Sequence, residues 1–361
     1  MPFSIKMFIE KIFAPAKNEV LTIMIDVPHG SISDTGEWKE RREMARDWHS
    51  KISKLSSVWG MEINPLVIYK ATGGHNSDLP EKCFTGDREV ITAEIIKGST
   101  IILSMPEYSA TAPLYEYSRS LKRLRVGSMP GAAKFMEETG LSADYMEISK
   151  RCKVLVEIME KAKGAEVTFS SGHKCYFDIS VNGSFIDDGI LHPQMGGTDL
   201  STSNLPAGEV YCVPDEKQGS RTEGELPFQV DGETGLFRVR ENRITEIEGE
   251  GDSIAELREK MNRDEAWRNI AEFAIGVNEK ATVTGNVLQD EKAGFHWAYG
   301  RSDHLGGITG VDKFLSPDNV VHTDIVYAKG NPIECSLLKL IFPDNTEKIL
   351  IEDGKLIELS E

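Results

Sequence analysis

Short apolar segments alternate with amphipathic segments along the first 165 residues of the chain. Residues 20–27, Val-Leu-Thr-Ile-Met-Ile-Asp-Val, are apolar, rich in β-branched side chains and closed by Pro28, which predicts a buried strand. Comparable segments follow at 65–69, 99–104 and 124–126. Apolar residues at helical spacing occupy 38–55 and 114–124. Because strands that alternate with helices are joined by crossover connections, this half predicts an α/β fold with a doubly wound, mostly parallel sheet.

The pattern changes after an amphipathic helical segment at 145–162. Short alternating segments, separated by Gly, Asn and Asp, predict strands at 166–169, 174–180, 236–240, 243–248, 295–299, 322–327, 338–342 and 347–351. Residues 252–275 follow a helical pattern. We therefore predict two domains, an α/β domain at 1–165 and an α+β, mainly antiparallel domain at 166–361.

Charge and cysteine usage narrow the classes of function. The 361 residues include 41 Lys and Arg against 58 Asp and Glu, a net charge of −17 that disfavours binding to nucleic-acid phosphates. No run approaches the ~18 apolar residues of a membrane helix, and the N-terminus lacks a secretory h-region. The five cysteines are scattered, without a Cys-x-x-Cys pair. These features predict a cytoplasmic protein with reduced thiols and no nucleic-acid or membrane partner.

Several common catalytic motifs are absent from the sequence. It contains no Gly-x-x-x-x-Gly-Lys-Ser/Thr phosphate loop, and no Gly-x-Gly-x-x-Gly follows the first predicted strand. It also lacks the Gly-x-Ser-x-Gly of serine hydrolases and the His-Glu-x-x-His of helix-borne zinc proteases. These absences argue against a nucleotide-binding enzyme and against both of those hydrolase classes.

The most informative local pattern is His322-Thr-Asp324, which lies in the predicted strand 320–327. Side chains alternate along a strand, so His322 and Asp324 are expected on the same face. An imidazole beside a carboxylate suits Zn²⁺, Mn²⁺, Co²⁺ or Fe²⁺. A hydrogen-bonded His–Asp pair at a sheet edge is the structural alternative.

Three further segments place one ionisable residue among apolar neighbours. His296 lies in the strand-like Phe-His-Trp-Ala-Tyr-Gly, Glu272 lies at the end of the predicted helix, and Glu209 directly precedes a β-prone segment. A buried charge is costly unless it is paired. One metal centre would provide a partner for all of these side chains together.

Four segments in this order, 204–210, 271–276, 290–300 and 322–324, resemble the aminopeptidase T, aminopeptidase S and PepS metallopeptidases, often described as leucyl aminopeptidases. The resemblance covers roughly residues 166–330. It implies a metal-dependent aminopeptidase that hydrolyses the N-terminal residue of small peptides or aminoacyl substrates through a water activated by one or two divalent metals (Zn, Co or Mn). It also implies a homodimer.

The resemblance also implies the residues of the site. The family's metal ligands fall on Glu209, Glu272, His296, Asp303, His322 and Asp324. Asp303 is a departure, because the family has a tyrosine there; Asp303 or His304 could ligate instead, or the second metal could be absent. Glu291 matches a glutamate to which an acid/base role is assigned.

A related family offers a different activity. The 2,5-dihydroxypyridine dioxygenases resemble the same fold, keep the final His-x-Asp pair and use a single Fe(II) to cleave a ring. They have a histidine where this chain has Glu272, so Glu209 and Glu272 favour the peptidase. A metal-binding relative that has lost catalysis, or a metal-free one, is the third interpretation.

Overall fold

The computed structural model describes residues 3–198 and 200–359. It is a mixed α/β structure with parallel and antiparallel sheets, in agreement with the predicted α/β class. The chain divides into two compact units. The first contains the described residues up to Ser149 together with Asp187–Ala207 and Glu279–Ala281. The second contains Lys150–Ile186, Gly208–Asn278 and the described residues from Thr282 onward, so its bounds differ from a single division after residue 165.

The first unit is built on a sheet of eight strands among the described residues. These strands are β1 (Val20–Val27), β2 (Glu62–Ile63), β3 (Val67–Lys70), β4 (Lys82–Thr85), β5 (Arg88–Ile91), β6 (Ile101–Ser104), β7 (Arg125–Ser128) and β11 (Thr202–Asn204). The order is β11-β7-β6-β1-β3-β4-β5, with β2 beside β1. The strands from β11 to β3 run parallel, and β4 and β5 are antiparallel.

Helices follow the strands of this unit in the predicted alternation. They are α1 (Ile5–Phe13), α2 (Gly36–Ser53), α3 (Ser56–Trp59), α4 (Thr92–Gly98) and α5 (Thr111–Ser120). Helix α6 (Tyr145–Met159) begins in the first unit and ends in the second.

A buried arginine explains why 187–207 belongs to the first unit. The guanidinium of Arg125 is fully buried and pairs with the carboxylate of Glu19. It also donates to the carbonyl of Leu191 at 2.8 Å. Beside it, the backbone N–H of Val126 donates to Ser201 at 2.8 Å, at the start of the pairing between β7 and β11. This later segment therefore completes the first sheet.

The second unit contains two antiparallel sheets. In the described chain, one has the strands β8 (Gly164–Phe169), β9 (Lys174–Phe177), β13 (Glu223–Val230), β14 (Glu233–Arg240), β15 (Arg243–Glu248), β19 (Cys335–Ile341), β20 (Glu347–Glu352) and β21 (Lys355–Leu356). The other, which we call the site sheet, has the order β10 (Phe185–Asp187), β12 (Glu209–Cys212), β16 (Ile270–Gly276), β17 (Phe295–Gly300) and β18 (His322–Val326). Among the described residues, this unit also contains the end of α6, α7 (Asp252–Arg263) and α8 (Val287–Asp290).

The two faces of the site sheet differ in chemistry. One face is aromatic and packs against the larger sheet: Phe273 lies 5.1 Å from Phe177, and Trp297 lies 5.8 Å from Phe237, measured between ring centroids. Because side chains alternate along a strand, the intervening residues Glu272 and His296 point to the opposite face. The aromatic packing thereby fixes the strands that carry the predicted ligands.

The predicted helix at 252–275 is wrong in its second half. Helix α7 ends at Arg263, and a 3₁₀ turn follows, with the Asp264 side chain accepting from the N–H of Ala266 at 3.2 Å. The chain then enters β16, in which all seven residues are buried. A continuous apolar segment that is buried on both faces has no helix or strand period of its own, which is why the pattern misled. Glu272 therefore lies in the middle of a central strand.

Two other features concern the class of the protein. All five cysteines lie within the described residues, are buried and form no disulfide. None of the helices in ranges 3–198 and 200–359 is long and apolar enough to cross a membrane.

Candidate metal centre

The polar face of the site sheet brings two acidic residues to either side of an alanine. Glu272 on β16 is paired with Ala298 on β17, and Ala298 is paired with Asp324 on β18. Side chains in directly opposite positions lie about 5 Å apart. The small Ala298 side chain therefore leaves space between the two carboxylates.

A glycine on β17, two residues after Ala298, leaves further space on the same face of the sheet. Gly300 is paired with His322 and has a φ of +105°. A Cβ at this position would lie 2.3 Å from the carbonyl oxygen of Val321, so no other residue fits without moving the backbone. The imidazole of His322 can consequently reach across β17 toward Glu272.

Glu272, His322 and Asp324 form the first group of side chains that could hold a metal, with one ligand atom of each within 4.8 Å of the others. Nε2 of His322 lies 3.0 Å from Oε2 of Glu272 and 3.6 Å from Oδ1 of Asp324. Nδ1 of His322 donates to the carbonyl of Arg301 at 2.7 Å. A hydrogen bond of this kind holds the ring so that Nε2 faces the carboxylates, as expected of a histidine ligand. The predicted placement of His322 and Asp324 on one strand face is confirmed.

Glu291, His296 and Asp324 form a second such group, which shares Asp324 with the first. His296 is 1% exposed on β17, and Nε2 of His296 lies 4.0 Å from Oε1 of Glu272. Glu291 precedes β17 in a 3₁₀ turn that packs closely on β16. That approach requires Gly276, since a Cβ there would lie 2.4 Å from the Glu291 carbonyl oxygen.

Glu209 is the first residue of β12, the strand next to β16, and its carboxylate approaches His296 of the second group. Its Oε2 lies 3.4 Å from Nε2 of His296. This oxygen is buried and accepts no hydrogen bond from the described residues. Its other oxygen, Oε1, lies 2.6 Å from Nζ of Lys292.

Lys292 is the residue that sequence reasoning missed. Its side chain is 0% exposed, and Nζ lies 2.6 Å from Glu209 and 2.7 Å from Glu291. A fully buried lysine is rare unless it is paired. The sequence offers only its position directly after Glu291, and nothing in the pattern distinguishes it from a surface lysine.

Asp303 lies outside both groups of the described residues that could hold a metal. Its side chain is 37% exposed and pairs with Nε of Arg301 at 2.5 Å. Its neighbour His304 has its ring 4.9 Å from the His322 ring, edge to face. Asp303 therefore lies in an ion pair with Arg301.

The loop that carries Asp303 is organised by Glu216, a second residue without a sequence signal. The carboxylate of Glu216 accepts from the hydroxyls of Ser302 and Thr309, both at 2.7 Å, and from the backbone N–H of Ile308. These bonds fix the residues directly after Arg301, whose carbonyl orients His322.

The protonation of the site reflects its burial and charge. Burial opposes the charged form of Asp324, but the interaction with His322 prevails and lowers the pKa of Asp324 to about 2. Burial also disfavours charge on His322, yet Asp324 and Glu272 together raise the pKa of its imidazole well above the usual value. For Glu291, burial dominates and raises the pKa well above that of an ordinary carboxyl group.

These residues fit a divalent metal. The donor set of carboxylate oxygens and imidazole nitrogens is the one that Zn²⁺, Mn²⁺ and Fe²⁺ take. The space above Ala298 and the buried Oε2 of Glu209 that accepts no hydrogen bond are both features that a bound cation would use.

A cavity of about 580 Å³ lies in the second unit along β18. Its walls include Leu257 and Lys260 of α7, Trp267 and Thr323. Of the residues in the two metal-compatible groups, Asp324 is the one that lines it.

Comparisons with known proteins identify the fold. No protein-family model matches the chain, and no curated protein matches its sequence. The structure of 2,5-dihydroxypyridine dioxygenase from Pseudomonas putida is 14% identical, with a TM-score of 0.64 over 98% of this chain and 96% of that chain. Wild-type AmpT from Thermus thermophilus is 13% identical, with a TM-score of 0.58 over 98% of both chains. The predicted relationship to these two proteins is confirmed at the level of the fold.

Proposed function

We propose that the protein is a metal-dependent aminopeptidase whose metal is held by Glu272, His322 and Asp324. The observation that carries the proposal is the donor set, in which one imidazole and two carboxylates converge within 4.8 Å. The shared fold with AmpT, an aminopeptidase, supports it. A carboxylate-rich set leaves the ion strongly bound and open to water, as in metallohydrolases.

A divalent metal bound there would supply Lewis-acid chemistry, polarising the scissile carbonyl and lowering the pKa of a water to about 7. The chain's own residues would do the rest. His322, oriented by the Arg301 carbonyl, holds its Nε2 toward the centre. Glu291 is buried with Lys292 on its Oε1, and we assign to its other oxygen the transfer of a proton from water to the leaving amine.

The charge of the centre suits a substrate with a free α-amino group. Four carboxylates converge on this face against the single ammonium of Lys292, and they belong to Glu209, Glu272, Glu291 and Asp324. Such a concentration of negative charge favours a cationic group beside the metal. We propose that this charge anchors the peptide N-terminus and thereby limits cleavage to the first residue.

A mononuclear Fe(II) dioxygenase is the second candidate. Its support is the TM-score of 0.64 to the 2,5-dihydroxypyridine dioxygenase. Iron oxygenases of this kind commonly use two histidines and one carboxylate. The group found here has one histidine and two carboxylates, and on that ground we place hydrolysis first.

The test is the release of the N-terminal amino acid from short peptides by protein reconstituted with Zn²⁺, Mn²⁺ or Co²⁺, with and without oxygen. We expect metal-dependent release that oxygen does not change and that Glu272→Gln reduces by at least about 100-fold. No peptide hydrolysis with any of these metals, together with oxygen-dependent consumption of a dihydroxypyridine by the iron-loaded protein, would establish the second candidate instead.

A further inference from the structure

We infer that the centre binds one divalent metal, and that the ammonium of Lys292 takes the place of a second cation between Glu209 and Glu291. This inference rests on the proposed function for the first metal, at Glu272, His322 and Asp324. It assigns to Lys292 the role of a built-in cation that sets the metal content of the site.

The position of Nζ is that of a bridging cation. It lies 2.6 Å from Oε1 of Glu209 and 2.7 Å from Oε1 of Glu291. Glu209 is the first residue of β12, and Glu291 lies in the 3₁₀ turn before β17. A metal bound to carboxylate oxygens lies roughly 2.0–2.6 Å away. The ammonium therefore occupies nearly the same point that an ion bridging these two oxygens would occupy.

The ammonium of Lys292 interferes most with metal binding by the second metal-compatible group. It uses Glu291 together with His296 and Asp324, and Glu291 is already bound to the ammonium. A divalent ion in this group would lie close to a positive charge in a buried environment, where like charges repel strongly. The first group takes Glu272 and His322 as its other two residues, and Nε2 of His322 lies 3.0 Å from Glu272 and 3.6 Å from Asp324. It shares Asp324 with the second group but does not use Glu291, the carboxylate that pairs with the ammonium.

Backbone hydrogen bonds hold the turn that carries Lys292 in place. The carbonyl of Lys292 accepts from the N–H of Asn278 at 3.0 Å, and the N–H of Gly276 donates to Gly294 at 2.9 Å. These bonds hold the turn at both sides of Lys292 against the end of β16. The side chain, 0% exposed, is thus directed into the centre by a fixed backbone.

The charges also balance better with one metal than with two. When all four carboxylates are ionised they carry four formal negative charges, and the ammonium with one divalent ion carries three positive charges. The ammonium of Lys292, 2.7 Å from Glu291, favours the ionised form of that buried carboxyl group. A remainder of one negative charge suits the α-ammonium of a substrate. With two divalent ions the centre would become positive and would repel that group.

The experiment measures metal stoichiometry by calorimetric titration of chelator-treated protein with Zn²⁺ and by elemental analysis after dialysis. We expect about one ion per chain in the wild type, about two in Lys292→Met, and about one in Lys292→Arg, which keeps the charge. Two ions in the wild type, or no additional ion in a folded Lys292→Met, would overturn the inference.

Because Lys292→Met leaves two buried carboxylates without their cation, its stability must be followed as well. We expect a lowered thermal midpoint without metal and a rise at the second equivalent of Zn²⁺. Lys292→Met combined with Glu209→Gln removes one carboxylate as well and is expected to fold and bind one ion. Two ions in this double variant would contradict the bridging position. If Lys292→Met does not fold, the wild-type stoichiometry, one ion or two, still decides.

The outcome separates this inference from the proposed function. One ion per wild-type chain without peptide hydrolysis would leave the assignment of Lys292 standing and would reject the peptidase. Two ions with hydrolysis would do the reverse. No bound metal in the wild type would overturn both.

Discussion

Glu272 and His322 meet at 3.0 Å although they belong to strands that are not neighbours in the sheet. Strand β17 lies between them and contributes only Ala298 and Gly300 to the rows concerned. The two small residues make this contact across a strand possible. The space for a metal therefore depends on the absence of large side chains at these two positions of β17 as well as on the ligands on either side.

The first prediction concerns that space. Ala298→Leu should fill the gap between Glu272 and Asp324 and lower metal affinity by at least about tenfold, a loss of about 1.4 kcal/mol. The longer side chain should also cost about 1–3 kcal/mol in stability through overpacking. Ala298→Gly keeps the gap and is the control. Calorimetric affinity that is unchanged in a folded Ala298→Leu would show that the ion does not lie above this position.

The second prediction concerns Glu216. Glu216→Ala removes the acceptor for Ser302, Ile308 and Thr309, so the segment after Arg301 should loosen and His322 should lose its fixed orientation. Partners that orient a ligand are typically worth 10–100-fold in metal affinity, and we expect a loss of about that size. The matched control is Glu246→Ala on the exposed face of β15. An equal affinity in both variants would leave Glu216 with a purely local role.

The third prediction concerns Asp303, at a position where the peptidases that the sequence resembles have a tyrosine. Because Asp303 pairs with Arg301 and lies outside the metal-compatible groups of the described residues, Asp303→Ala should leave the metal stoichiometry at about one. Elemental analysis checks this directly. A loss of bound metal in Asp303→Ala, at unchanged fold by circular dichroism, would restore Asp303 as a ligand.

The fourth prediction concerns stability and pH. Burial alone would raise the pKa of Asp178, but hydrogen bonds from Arg221 and Ser180 prevail and lower it. A carboxyl whose pKa is lower in the folded state stabilises the protein above its unfolded pKa of about 3.9, and this stabilisation is lost as the pH falls through the folded value. Asp178→Asn should therefore be less stable at pH 7 by on the order of 2 kcal/mol.

The same difference should shrink as the pH falls below about 4, because the unfolded chain then takes up the proton first and folded Asp178 follows only at its lower pKa. Urea unfolding at pH 7 and at pH 3 measures both values. Glu250→Gln, an exposed change, is the control. A difference between wild type and Asp178→Asn that stays the same at both pH values would contradict the assigned ion pair.

Much of the fold follows from residue patterns alone. Strand β1 has the predicted bounds, Val20–Val27, because it is apolar, β-branched and ends at a proline. Strands β17 and β18 also agree closely with their predicted positions. Glu272 was misplaced on a helix because β16 is buried on both faces and thus shows no strand alternation.

The missed parts of the site have a different origin. Nothing in the sequence around Lys292 distinguishes it from a surface lysine, and only tertiary packing makes it a buried cation. The Arg301 carbonyl is a backbone group, which no side-chain pattern identifies. Glu216 acts from a loop about 90 residues before the segment it holds, a long-range relationship that local periodicity does not contain.

The most direct test of the account is calorimetric titration of Zn²⁺ into chelator-treated wild type and into Asp324→Asn. Asp324 belongs to both metal-compatible groups, and the amide keeps its size while removing the charge. We predict saturation at about one ion per chain in the wild type and at least about a 100-fold loss of affinity in the variant. Equal affinity and stoichiometry in the two folded proteins would contradict the assignment of this centre.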